Sequence, residues 1–452
     1  MQILNFLKDA FLKPKPDTEN TLSEEDALRI NFKVMVIEFA ENVENSSGEI
    51  LAALLRSQKY LTVNYFNEPF NKSFLNLEGR SFFDFIDKGQ TILDRTGADV
   101  LVWGYRENDK IRLNFQTPAQ YEKDNTSFIS LLDSLYLPAA LFDSPQNFPV
   151  SILNLIAGAI ISSLNIPDKQ TAVSQKYLLK KIIRILSDNN SAKNMPLEYL
   201  PYIMNFLALI YLTYCSRTDS EKEFKIVNNL LETAVKHQDL IKNPLHLGCI
   251  YNHFGQLHAA AAETLSKNPA SHFKGAISNY QRAQKYLGKY VYPYDYGLIS
   301  FKLSGLLYQF WKQKEDSQAL RDSVFNLREA EKIFTYPLFP EFWADIEGEL
   351  GYRLSLLSSL TGNNAIAEMA IAAYKNRQKI ITEKRDPFIW AGIQESIGNI
   401  YYRLGKENDD KDLLEESLEY LHDALYIFEN MELSADARRL TTDIAKVSDL
   451  LE

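Results

Sequence analysis

Six prolines, Pro149, Pro196, Pro244, Pro293, Pro340 and Pro387, punctuate the chain at spacings of 47, 48, 49, 47 and 47 residues. A beat this regular restricts the region to an array of like units, because self-similarity at a fixed period is the signature of repeat architectures. Proline costs nothing in the first turn of a helix, where its missing N–H would have no intrahelical partner. Each of these prolines therefore predicts the start of a unit's first helix.

Other positions keep the same phase. Trp343 and Trp390 each lie three residues after a proline, followed by Ala344 and Ala391; Tyr296–Gly297 and Leu247–Gly248 take those places earlier. Gly255, Ser304, Gly351 and Gly398 each lie eleven residues after a proline. A small residue there lets the second helix of the unit come close. Ala234, Ala283 and Ala330 lie ten residues before the next proline, with Ala424 in phase in the last unit. Seven residues before those come Val227, Ala276, Ser323 and Ser417, and Ala370 keeps the same phase seven before Arg377. Small residues two turns apart on one helix face receive the neighbouring unit. Turn-forming stretches such as Gly362–Asn364 and Asn408–Asp410 separate the two helices. The tryptophans read as core, and Asp409–Asp410 as a solvated loop.

The segments FWADIEGELGYRL, FIWAGIQESIGNIYYRLG and LEESLEYLHDALYIFE resemble the tetratricopeptide family, in a long bacterial variant of about 47 residues. The resemblance runs from Pro149 to residue 433 and is fullest over Pro244–Asn430. Leu207 replaces the mid-helix glycine, and Arg377 departs from the alanine series. The tail from Ser434, with Leu440, Ile444, Val447 and Leu451 along one face, reads as the capping helix that solenoids need. The resemblance implies an all-α superhelical solenoid of six helix pairs whose first helices line a concave, partner-binding face. Its groove positions fall here on Asn252, Gln256, Phe301, Tyr308, Tyr352, Glu395, Asn399 and Tyr402, with Arg403 beside them. That mix of Tyr, Phe and Asn suits an amphipathic or extended peptide. Asn252, Asn399 and Arg403 make only part of a carboxylate clamp.

Residues 31–148 read as a separate α/β domain with a small mixed sheet. Phe32–Phe39 and Leu61–Phe66 are strand-like, with a helix over Glu49–Gln58 between them. Ser81 is placed to cap a helix that Gly97 ends, and Val100–Tyr105 with Ile111–Phe115 form a hairpin. FKVMVIEFAE and GADVLVWGYRENDKIRLNFQ look like the amino-terminal domain of TolB and its relatives, where a strand typically ends in Pro-Phe. Ile37-Glu38-Phe39 stands in that place here. The resemblance implies a docking or regulatory module and transfers no catalytic set. Residues 1–30 read as an amphipathic arm, with Ile3, Leu4, Phe6, Leu7, Phe11 and Leu12 on one side, and a Lys13–Asp17 linker. The arm packs on its own protein or makes a weak membrane or partner contact.

Little points to chemistry. A net charge of −10 opposes nucleic-acid binding. Lys176, Lys180, Lys181 and Arg184 form only a short basic face. Two cysteines, Cys215 and Cys249, make no disulfide framework. There is no secretory signal, and the apolar run Ile152–Leu164 is too short to span a bilayer, so a cytoplasmic protein is expected. The chain lacks a P-loop, a dinucleotide fingerprint, a nucleophile elbow and a zincin motif. His246, Cys249 and His253 share a predicted helix face, with His237 and His258 nearby, a spacing that could serve a metal but is met equally by packing. No catalytic, cofactor or metal residues are assigned. The expected function is a non-enzymatic scaffold or adaptor for a protein or peptide. The alternative is a ligand- or nucleotide-sensing regulator, its ligand lying across the carboxyl ends of Phe32–Phe39 and Val100–Tyr105 and its repeats relaying the state.

Overall fold

The computed structural model describes residues 30–40, 46–69, 80–118, 127–166, 168–188, 195–215, 221–265 and 269–452. The expected arm and linker lie outside these. The chain forms two compact units that divide between Ile299 and Ser300.

The first unit opens with β1 (Phe32–Ile37), α1 (Ser47–Leu55), β2 (Leu61–Phe66), α2 (Arg80–Thr96), β3 (Val100–Glu107), β4 (Lys110–Gln116) and β5 (Leu135–Pro138). The five strands make one mixed sheet in the order β2-β1-β3-β4-β5. β1 runs parallel to both neighbours, and β3, β4 and β5 are antiparallel in turn. β1, an inner strand, is an almost unbroken apolar run because both faces are covered. The hairpin turns at Asn108, which takes the left-handed conformation (φ 50°) that asparagine tolerates. Gly97 ends α2 the same way (φ 60°). Ser81, expected to cap α2, lies inside it, since the helix already includes Arg80. The fifth strand is an addition to the expected order.

The helices that follow pack in adjacent pairs, as in a helical solenoid. α4 (Val150–Ser163) and α5 (Lys169–Asp188) come after the one-turn α3 (Ala140–Asp143). Then come α6 (Leu200–Cys215) with α7 (Glu221–Lys236), and α8 (Leu245–Thr264) with α9 (Pro269–Tyr286). α4 is apolar all round because it lies between the sheet and the helices α5 and α6. One apolar core runs without a break from Phe32 to Leu257, and the rings of Phe115 and Phe206, 5.8 Å apart, join β4 to α6.

α10 (Pro293–Lys314) carries the division between the units. After it come α11 (Ser317–Glu331), α12 (Pro340–Thr361), α13 (Asn364–Arg377), α14 (Pro387–Asn408), α15 (Lys411–Asn430) and α16 (Ser434–Leu451). The mid-helix small residues do what their spacing predicts. A Cβ on Gly351 would stand 2.8 Å from the Tyr374 ring, and one on Gly398 would stand 2.8 Å from Leu421. Where serine replaces glycine, Ser304 bonds the Ser323 carbonyl at 2.8 Å. α16 covers the last pair through Leu440, Ile444 and Val447, closing a core with Leu421, Ala424 and Phe428.

A recurring turn joins the helices of each pair here. Glu315, Gly362 and Asp409 are left-handed, and each precedes a side-chain cap, Asp316, Asn363 or Asp410, on the next helix's backbone N–H groups. Asp410 is thus a cap rather than a merely solvated loop residue. Only Gly362 takes that backbone without strain. Glu315→Gly is therefore expected to stabilise the second unit by about 0.5–1 kcal/mol, read as a raised denaturant midpoint at unchanged m-value.

Candidate functional site

Two places could receive a ligand or partner: the carboxyl ends of the parallel strands, and the first helices of the repeats. At the strand ends, Glu38 follows β1 and is buried. Its Oε1 accepts from Phe39 N at 2.7 Å and from Gly48 N at 3.1 Å in the first turn of α1, and its Oε2 accepts from the Tyr65 hydroxyl. Gly48 is what permits this approach, since a Cβ there would stand 2.7 Å from the Ile37 carbonyl oxygen. The partial positive charge of the α1 N-terminus, a ready seat for a phosphate, is already met by the chain's own carboxylate. Burial, then the Glu38 carboxylate, raises the Tyr65 phenol well above its ordinary value. Nearby, Arg106 holds Asp143 at 2.7 Å and the Ser47 hydroxyl at 3.3 Å. Backbone bonds between Ala40 and both Gly104 and Arg106 tie the strand ends together.

The groove positions fall into two groups. In the first unit, Asn252 and Gln256 are buried on α8, one turn apart, each with a side-chain oxygen that no protein donor reaches. In the second unit, Tyr308 and Tyr352 come together from α10 and α12, their hydroxyls 3.1 Å apart. Tyr352 is 44% exposed. Phe301 packs edge-on to Phe342, with ring centres 5.0 Å apart. Asn399 is exposed and Tyr402 half-buried on α14, with Lys406 over the Tyr402 ring. Arg403 reaches back to Ser358 and pairs with Glu407 at 3.0 Å. Glu395 is taken by Arg439 of α16 through both carboxylate oxygens.

Beneath the tyrosine pair lies a residue that the repeat pattern does not announce. Arg353 is buried at a place where Leu306 and Ile400 stand in the flanking units. Its guanidinium holds the Ser304 and Ser323 hydroxyls, meets Glu349 at 2.8 Å, and lies 5.0 Å from the Tyr308 ring centre. Burial, then hydrogen bonding to Tyr352, pushes the Tyr308 phenol up to about 12. The hydroxyl is neutral at physiological pH and able to donate.

The histidine face of α8 separates once folded. His246 lies edge-on to Tyr136 and Tyr202, with ring centres 5.4 and 5.3 Å away. Cys249 is buried, which pushes its thiol well above the ordinary range. His253 bonds Asn205 Oδ1 at 2.7 Å and Asp133 Oδ2 at 3.1 Å, while His258 meets His272 at 3.3 Å. Among the described residues, no group of three or more His, Cys, Asp or Glu is arranged to hold a metal ion. Also among them, no helix is long and apolar enough to cross a membrane.

These features define a class of protein: a small mixed α/β domain followed by helices in adjacent pairs, with an aromatic and polar face on the first helices of the second unit. Compared with known proteins, the sequence matches no family model and no curated protein.

Proposed function

We propose that the chain is a non-enzymatic scaffold or adaptor of tetratricopeptide type, which binds a protein or peptide across the first helices of its second unit. The observation that carries this reading is the juxtaposition of Tyr308, backed by the Arg353 guanidinium, and the exposed Tyr352 on neighbouring first helices. Aromatic side chains held rigidly over a buried cation offer contact area at low entropic cost, as hot spots do. Asn399 and Tyr402 extend the face on the next first helix. The TolB-like α/β domain serves as a docking module. The sensing alternative is weaker for anionic ligands, because Glu38 occupies the amides that a phosphate would seek.

Affinity capture with the full chain tests the reading. A specific protein is expected to be retained, and Tyr352→Ala is expected to weaken its binding by more than tenfold, the loss of about 2 kcal/mol typical of a hot-spot tyrosine. Retention of no specific protein, or undiminished binding by the variant, would count against it.

A further inference from the structure

The helix pairs of the second unit repeat one contact at successive junctions, with different chemistry each time. Gln378, just beyond α13, donates Nε2 to Oε1 of Gln394 on α14 at 2.6 Å. One 47-residue step earlier, the same two places hold Glu331, at the end of α11, and Glu347 on α12. Two amides supply both donor and acceptor. Two carboxylates supply only acceptors. The same register sets Glu331 against Glu347 where α11 packs on α12, and a proton between two such carboxylates is what makes their contact favourable.

The surroundings say which residue holds it. Glu347 is completely buried; its Oε1 accepts from Asn376 Nδ2 of α13 at 3.2 Å, and no donor reaches its Oε2. Arg328 of α11 binds Glu331 at 2.8 Å, whereas burial favours the protonated form of Glu347. The other charges around the junction are otherwise engaged. Lys332, just beyond α11, binds Glu329 at 2.5 Å, Arg377 of α13 faces Asp345 at 3.8 Å, and Glu349 on α12 itself pairs with Arg353.

We propose that the contact between α11 and α12 is a pH-sensitive junction, closed while Glu347 carries a proton and loosened when that proton leaves. The Gln378–Gln394 junction beside it is indifferent to pH. Burial, reinforced by the Glu331 carboxylate, pushes the Glu347 acid up to about 8. Because the folded value lies above the unfolded one, the stability it contributes is complete below the ordinary carboxylate range. It declines as pH rises towards about 8 and is lost above that.

The test is thermal unfolding of the full chain from about pH 5 to about pH 10, with Glu347→Gln and Glu331→Gln alongside. Either variant places an amide donor where the proton was, as Gln378 and Gln394 do. The wild-type Tm should fall relative to Glu347→Gln as pH rises to about 8 and then run parallel to it, while Glu331→Gln, which keeps the buried Glu347 acid, should remove only part of that fall. A Tm difference that does not change with pH would overturn the proposal. Should neither variant fold, wild-type amide exchange in α12 decides: protection, corrected for intrinsic rate, must drop between about pH 6 and pH 9, and constant protection overturns it.

Discussion

Asp133→Ala is expected to remove about 3–5 kcal/mol from the stability of the first unit, the usual consequence of deleting one member of a buried charged or fully hydrogen-bonded pair. Asp133 lies in the turn before β5 and is shielded from solvent, as is His253 of α8. One of its carboxylate oxygens faces His253 Nε2 at 3.1 Å and accepts from Ser130 N at 2.8 Å, while the other accepts from Asn205 Nδ2 of α6 at 3.3 Å. Asn205 in turn presents Oδ1 to His253 Nδ1. Both imidazole nitrogens thus face side-chain oxygens of Asp133 and Asn205 in a site shielded from solvent. Without the carboxylate, the ring and the Asn205 amide each lose a partner at once. Chemical denaturation should place the variant's first-unit transition well below the wild type's. A change under about 1 kcal/mol would mean that water replaces the carboxylate, contrary to the packing.

A second large effect is expected from acid. Burial, then the Arg112 guanidinium, holds His246 down to about 4, and burial and His272 do the same for His258. The unfolded chain binds protons at these rings near pH 6.5, where the folded chain does not. The stability is therefore complete above about pH 6.5 and is lost as pH falls towards 4. For His246 alone that is about 3 kcal/mol. His246→Phe, which keeps a flat ring between Tyr136 and Tyr202, should flatten this slope by about one proton. A slope identical to the wild type's would place the acid sensitivity elsewhere.

The periodic part of this molecule was legible because its causes are local. Pro340 and Pro387 open their helices, and Gly351 and Gly398 admit their neighbours, since both demands follow from position within one unit. β2 and the β3–β4 hairpin were legible from apolar runs bounded by turn residues. β5 was not, because four residues inside an apolar stretch carry no alternation to separate strand from helix. Nor were the polar clusters. Asp133 and His253 are 120 residues apart, and their meeting depends on how α6 and α8 stack against the sheet. His246 and His253 do share a helix face, yet that face crosses two different neighbours, aromatic at one end and polar at the other. Arg353 gave a faint signal, as a charged residue in an aliphatic phase beside two serines in small-residue positions. The candidate groove was legible only as a set of places. The burial of Asn252 and Gln256, and the capture of Glu395 by Arg439, depend on packing beyond the repeat.

The turn that recurs at Glu315, Gly362 and Asp409 makes the second unit a lattice with a fixed step. Removing Pro340–Asp386, one whole step, would leave Phe339 meeting Pro387 in register. Yet the lattice sites are labelled. Glu331 would then face Gln394, which has a hydrogen to give, and the two serines that hold Arg353 would face Ile400. The geometry treats the units as interchangeable copies, whereas the side chains at their seams assign each copy a place in line.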